Sequence, residues 1–305
     1  MKNILTLEEL NKDELFELLA KAISLKKEPH SEEGSLYGKS VALIFKKSST
    51  RTRVSFEAGV YELGGNPIYL HATDLQLGRG ETTKDTAHVL SRYVSAIVVR
   101  TYAHSDLEEM ASVAEVPVIN ALTDDHHPCQ ALADMMTILE KKDRLQGIKI
   151  AYVGDGNNVC HSLIIASALA GADISIATPI GYEPNKEIVK TAMKLKSDDS
   201  KTFITDDPLK AVSDADVIYT DVWASMGQEE EHQKRIKIFK PYQVNKELIS
   251  KAKDDALIMH CLPAHRGEEI TSEIIDSTQS VVWDQAENRL HTQKALLWTL
   301  LGERQ

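Results

Sequence analysis

Cysteine is scarce in this chain. Three residues of this type (Cys129, Cys160 and Cys261) in 305 do not make a disulfide framework, so the expected setting is a reducing one, the cytoplasm. Long apolar runs are missing too. No stretch approaches the roughly 18 uninterrupted apolar residues of a membrane span, and no membrane partner is expected. Residues 1–19 are acidic and helix-like, without the basic start, apolar core and small-residue cleavage site of a secretory leader. Basic charge is in deficit, 35 lysines and arginines against 46 acids for a net charge of −11. That excludes a general nucleic-acid binder, which needs a basic surface to displace counterions. It leaves room for a small anion held by a local basic cluster. No repeat, low-complexity tract or Pro/Gly/Ser linker interrupts the chain, and 42% hydrophobic with 27% charged residues is the composition of a globular protein, not a disordered one.

What is present is alternation. Short β-branched runs are followed by longer helical patterns, the pattern of parallel βαβ units. The runs that read as strands are Val41–Phe45, Pro67–Leu70, Ala96–Val99, Pro117–Asn120, Ile148–Val153, Ile174–Ala177, Lys201–Ile204, Val217–Tyr219, Ala256–Met259 and Val281–Trp283. Between them, Val54, Ala58 and Tyr61 mark one helical face within Val54–Leu63, and Leu132, Met135, Met136 and Leu139 mark another within Gln130–Lys141. The length is about twice that of a typical domain, and ten strands divide best into two sheets of about four or five. The expected fold class is therefore α/β, with two domains, each a parallel βαβ sheet flanked by helices, and the ligand site in the interdomain cleft. The expected boundaries are 1–140 and 141–284, with a last helix, 285–305, packing back onto the first domain.

Ligands of open α/β sheets bind beyond the carboxyl ends of the strands. Six of the predicted strands end in polar or reactive clusters: Lys46–Arg53, Arg100, His126–Gln130, Gly154–Asn158, Asp221 with Ser225–Gly227, and His260–Gly267. In the first, four of eight residues are cationic and four carry hydroxyls, at a strand-to-helix transition. Free N–H groups, arginine forks and hydroxyls there suit phosphate; the plainer reading is a solvated basic turn with Ser49 or Thr50 as N-cap. The Gly154-Asp155-Gly156 turn lacks the third glycine of a dinucleotide fingerprint, and the next strand lacks its ribose-binding acid, so the glycines read as a tight turn. No phosphate-loop nucleotidase motif occurs. Neither Cys-x-x-Cys nor His-Glu-x-x-His supports a metal, and neither metal nor cofactor is expected; His126, His260 and His265 read as packing or hydrogen-bonding residues.

Together, Ser49-Thr50-Arg51-Thr52-Arg53, His127-Pro128-Cys129-Gln130 and His260-Cys261-Leu262-Pro263-Ala264-His265-Arg266-Gly267 resemble the motifs of the carbamoyltransferases. Asp155-Gly156-Asn157-Asn158 and Asp221-Val222-Trp223-Ala224-Ser225-Met226-Gly227 narrow the likeness to the ornithine-specific members. It covers nearly the whole chain in order, with Lys46 departing from the acid often found there. The resemblance implies that carbamoyl phosphate is bound by Ser49, Thr50, Arg51, Thr52, Arg100, His127, Gln130, Cys261, Leu262 and Arg289. It also implies a homotrimer with shared sites, in which Gln76 is donated by a neighbouring subunit. By itself, the Gly-rich segment around Gln76 reads as a surface turn, and Arg289 as a surface arginine at a helix start. L-Ornithine is implied to contact Asn158, Asp221, Ser225 and Met226; Asp221 alone could equally be a cap. An acid in this half matches a cationic amino acid better than a dicarboxylate.

The implied chemistry is attack of the δ-amine of ornithine on carbamoyl phosphate, giving citrulline and phosphate, with Arg51, His127, Asp221 and Cys261 as the catalytic residues. Cys261 beside Asp221 would receive and help deprotonate the amine, while a covalent Cys261 intermediate is the less economical route. Other readings are a carbamoyltransferase for another acceptor such as putrescine, an NAD-dependent dehydrogenase on a Rossmann-like sheet, and a non-catalytic phosphate-ligand sensor of the same fold. Arginine biosynthesis is the expected setting.

Overall fold

Parallel strands cannot be joined by hairpins, so each needs a crossover, and a helix packed on the sheet supplies it. The computed structural model, which describes residues 2–71, 75, 80–196, 200–224 and 231–302, follows that rule in two compact units. The first comprises Met1–Met136 and Asn288–Gln305. There α1 (Lys12–Lys27) leads into β1 (Ser40–Phe45), α2 (Thr50–Glu62), β2 (Asn66–His71), α3 (Thr83–Leu90), β3 (Ala96–Arg100), α4 (His104–Val113), β4 (Val118–Leu122) and the start of α5 (Pro128–Lys142). All four strands are parallel, in the order β2-β1-β3-β4. The central strands β1 and β3 are buried almost throughout, which is why they read as unbroken apolar runs rather than as alternation. Ala42, Ile44, Ile97, Val99 and Val118 meet Leu107 and Met110 of α4 in the core.

The second unit is Thr137–Glu287. It contains β5 (Lys149–Val153), α6 (Asn158–Ala170), β6 (Asp173–Ala177), α7 (Lys186–Leu195), β7 (Thr202–Thr205), α8 (Pro208–Val212), β8 (Val217–Thr220), α9 (His232–Phe239), α10 (Lys246–Ile249), β9 (Leu257–His260) and α11 (Ser272–Ile275). Its strands are also parallel, in the order β7-β6-β5-β8-β9. Helix α6 is buried from Val159 to Ala170, consistent with its apolar character on every face. The chain passes between the units within α5 and again within α12 (Val282–Leu301).

Two sequence expectations need correction. Val281–Trp283 is not a tenth strand. Ser280 makes a single bridge to Ile258 and the Val281 N–H donates to the Ile258 carbonyl. The Val281 carbonyl then accepts from Gln285 N–H at 2.9 Å, so the same β-branched residues that start like a strand begin α12. On α2, Val54 and Tyr61 are exposed; the buried side is Thr52, Phe56, Gly59 and Val60. Gly59 sets that face because a Cβ there would sit 3.1 Å from Lys294 Cγ, and Lys294, wholly buried, holds Glu62 of the same helix at 2.6 Å. Apolarity alone marked the wrong side, since the stem of a buried lysine covers the right one.

The β5–α6 turn also depends on a glycine. A Cβ on Gly156 would fall 2.3 Å from Pro184 N and 2.7 Å from the Tyr182 carbonyl oxygen, both backbone atoms that cannot swing aside. Gly156→Ala is therefore expected to destabilise the protein by about 2–3 kcal/mol, as measured by denaturant unfolding. A midpoint equal to that of the parent would refute this close-approach reading.

Candidate active site

Strand order decides where each unit can hold a ligand. In β2-β1-β3-β4 the connections after β1 and β3 leave in opposite directions, so the crevice lies at the carboxyl ends of β1 and β3. The β1–α2 turn and Arg100, the last residue of β3, occupy that place. Ser49 is the extended N-cap of α2, its side chain accepting from Thr52 N–H. Thr50, Arg51 and Thr52 form the first turn, which holds no acid, so the positive end of the helix dipole keeps its field. By contrast, α1 fills its own N-terminus with a capping box of Asn11 and Glu14.

Three of the four cations in Lys46–Arg53 serve the fold. Lys46 pairs with Asp106 at 2.8 Å, Lys47 pairs with Asp124 and lies over the Tyr102 ring, and Arg53 pairs with Glu57 while stacking on Tyr69. The unusual residue Lys46 is thus locally neutralised. Arg51 is aimed differently: its charge, with those of Arg289 and Arg100, acts on His127. Arg289 is not a surface residue. It lies inside α12 at 2% exposure, donating to Gln130 Oε1 at 2.7 Å and Thr52 Oγ1 at 3.1 Å. The Gln293 amide oxygen, turned to suit its neighbours, accepts from the same guanidinium at 2.9 Å and 3.2 Å. One cation therefore ties α2, α5 and α12 together through neutral oxygens.

His127 lies at the entry to α5, its carbonyl accepting from Gln130 and Ala131 N–H groups. Burial, followed by Arg289, Arg100 and Arg51, pushes its pKa well below the ordinary value. A neutral imidazole results, able to donate one hydrogen bond to a developing oxyanion without adding charge.

In the second unit the strand order reverses at β5 and β8, and a hydrogen bond spans that point. Asn157 caps α6, its Oδ1 accepting from Val159 and Cys160 N–H groups. That fixes the amide, so Nδ2 faces the other way and donates to Asp221 Oδ2 at 2.7 Å. The Tyr152 hydroxyl also donates to Asn157 Oδ1; burial first, then Asp221, holds that phenol well above its ordinary pKa. Cys261, following β9, donates its thiol to Asp221 Oδ1 at 2.9 Å. Asn158 is the first residue of α6, while Gln76, Ser225 and Met226 lie outside the described residues.

The Cys261–Leu262 segment is itself held from below. Leu262 adopts a left-handed φ of 57°, a conformation that costs a non-glycine residue about 1–3 kcal/mol. Its N–H donates to His260 Nδ1 at 2.8 Å, so the ring proton sits on Nε2, facing Glu269 Oε1 at 3.1 Å. Gln285 accepts from His260 N–H and donates to the Tyr219 hydroxyl. Arg235 joins Asp155 at 2.8 Å to the Trp223 carbonyl at 2.7 Å; burial raises the Asp155 pKa to about 6 despite that arginine. Sequence reasoning missed Asn157, Arg235, Glu269 and Gln285. Only Asn157 had a local signal, an Asn one residue before an apolar helix.

Because the folded pKa of His127 lies below the unfolded one, the unfolded chain binds more protons once the pH falls below about 6.5, and stability declines progressively from there down to the folded pKa. The expected observation is a His127 ring resonance that stays at its neutral position between about pH 8 and about pH 6. A midpoint near the ordinary histidine value would overturn the three-arginine account.

Known proteins resemble this chain over nearly its whole length. The family model for the aspartate/ornithine carbamoyltransferase carbamoyl-P binding domain matches residues 2–140, and that for the Asp/Orn binding domain matches residues 146–300. The chain is 57% identical over 304 residues to an ornithine carbamoyltransferase of Pyrococcus horikoshii, covering 99% of this chain and 96% of that one. It is also 57% identical over 300 residues to one of Bacillus thuringiensis, with coverage of 98% and 94%. The solved ornithine carbamoyltransferase of Pyrococcus furiosus superposes with a TM-score of 0.95 at 55% identity, over 100% and 98% of the two chains. With the family models spanning nearly its full length and both parallel sheets in place, the chain belongs to the aspartate/ornithine carbamoyltransferase family.

Proposed function

We propose that this protein transfers the carbamoyl group of carbamoyl phosphate to the δ-amine of L-ornithine, giving L-citrulline and phosphate, in arginine biosynthesis in the cytoplasm. The observation that carries the reading is the convergence of Arg51, Arg100 and Arg289 on a neutral His127, together with an acid–thiol pair, Asp221 and Cys261, in the other unit. The first suits a phosphate with an adjoining carbonyl; the second suits a cationic amino acid. Residues 1–140 are the carbamoyl phosphate domain, 141–284 the ornithine domain, and 285–305 return to the first.

Ser49, Thr50, Arg51, Thr52, Arg100 and Arg289 hold the phosphate through the free N–H groups of α2 and bidentate guanidinium contacts. His127, Gln130 and the Cys261–Leu262 segment meet the carbamoyl group. Asn158, Asp221, Ser225 and Met226 hold ornithine, and Gln76 completes the site of a neighbouring subunit in a trimer. The δ-amine must be neutral to attack, although its solution pKa is near that of lysine, about 10.4. Cys261 takes a proton from it while the thiol's own proton passes to Asp221. The amine nitrogen then bonds the carbonyl carbon, and Arg51, Thr52 and His127 stabilise the oxyanion. The bond from the carbonyl carbon to the bridging phosphate oxygen breaks, the departing phosphate takes the second proton from the δ-nitrogen, and phosphate leaves toward the three arginines.

A colorimetric ureido assay with ornithine, putrescine, lysine and aspartate in parallel tests the reading; product from ornithine alone is expected. Strong product from another amine would keep the phosphate half and overturn the roles given to Asp221, Ser225 and Met226. Arg51→Ala is expected to lower kcat/KM for carbamoyl phosphate by about 100-fold to 1000-fold, the usual cost of a lost oxyanion donor; parental kinetics would remove Arg51 from the site. For Cys261→Ser, the expected result is a displaced pH profile for ornithine with a reduced rate, whereas an unmoved profile at full rate would clear the thiol of any proton role.

A further inference from the structure

Beyond Cys261, the same segment brings together a second set of side chains that the reaction does not use. His232, the first residue of α9, points Nε2 at Glu268 Oε2 from 3.0 Å. His265 points Nδ1 at the same oxygen from 3.6 Å. The three ligand atoms lie within 4.8 Å of one another, and the two imidazole rings stand edge to face, 6.0 Å apart. We propose that His232, His265 and Glu268 form a binding site for a divalent transition metal of the zinc class.

The donor set is the first argument. Two imidazoles and one carboxylate are the ligands that zinc, cobalt and nickel share, and a three-ligand site leaves a position open to water. With metal–ligand bonds of about 2.0–2.1 Å, neighbouring ligand atoms of a tetrahedral site stand about 3.3 Å apart. The measured 3.0 Å and 3.6 Å bracket that spacing. A bound metal would take the lone pairs of His232 Nε2 and His265 Nδ1, leaving each ring's N–H on its other nitrogen.

Rigidity is the second. His265 and Glu268 share one tight turn, closed by the Glu268 N–H to the His265 carbonyl at 2.9 Å. Gln243 donates to the carbonyls of both Gly267 and Glu268 at 2.8 Å. His265 N–H is anchored on the buried Glu269 at 2.6 Å. Two ligands are thus held before any metal arrives, which lowers the ordering cost of binding. Two neighbouring arginines are turned elsewhere: Arg266 forks onto Asp276 at 2.5 Å and 2.8 Å, and Arg235 is held by Asp155. Sequence spacing concealed this site, because His232 lies 33 positions before His265 and neither belongs to a recognisable ligand pair.

A second cluster, Asp221, His260 and Cys261, also has its ligand atoms within 4.8 Å. Both ring nitrogens of His260 are engaged there, by Leu262 N–H and by Glu269, and those buried bonds would have to break first. The experiment must therefore separate the two. Full-length protein is titrated with Co²⁺, followed by its visible ligand-field bands and by calorimetry, with Zn²⁺ as competitor. One metal per chain is expected, with no thiolate-to-cobalt charge-transfer band. His232→Ala and Glu268→Gln should each weaken binding at least tenfold, and Cys261→Ser should leave it unchanged. Far-UV circular dichroism checks that each variant is folded, and His232→Gln replaces any that is not. Absence of saturable Co²⁺ binding would overturn the proposal. So would a thiolate band that disappears in Cys261→Ser while His232→Ala binds as the parent does.

Discussion

A parallel sheet leaves its chain at the carboxyl end of every strand, and the crossover helices then cover most of those ends. Where the order of strands reverses, two neighbouring ends lose that cover. This happens between β1 and β3 in one unit and between β5 and β8 in the other, and in each unit the candidate residues gather at its own reversal. The first reversal opens the N-terminus of α2 beside Arg100. The second brings Asn157, at the end of a turn made possible by Gly156, against Asp221 from a strand far away in sequence. Neither arrangement would exist if the strands were laid down in chain order.

Each unit has then specialised by sign of charge. Around His127, arginines from α2, β3 and α12 concentrate positive potential in a buried setting, where screening is weak. Burying a guanidinium is costly unless its donors are met, and Thr52, Gln130 and Gln293 meet those of Arg289 without supplying a negative charge. The lysines of the same turn are paired with acids instead. In the second unit the sense is reversed. Asp221 is held by an amide and a thiol, and the segment carrying that thiol is braced by His260, Glu269 and Gln285.

Much of this was legible before any coordinates. Nine β-branched runs gave their strands to within a residue or two because central parallel strands are apolar on both faces, and the polar clusters that follow them lie beyond the carboxyl ends. The tenth run misled, since Val281-Val282 begins a helix with the same residues that would extend a strand. The face of α2 was misjudged because a glycine and a buried lysine, not apolar side chains, line its packed side. The part played by Asn157 was not legible, because which of two adjacent amides caps the helix depends on backbone geometry that composition does not record.

By itself, then, the sequence determined the class of fold, the two-sheet division and the motifs of the family, because periodicity and local residue types carry that information. Only the tertiary structure decided which cations face His127 and which are neutralised in place, that Arg289 is buried, and that Asn157 and Cys261 close on one carboxylate. It alone brought His232 to His265 and Glu268. These are relations between residues tens to hundreds of positions apart, set by strand order and helix packing, and a pattern read along one chain contains no term for them.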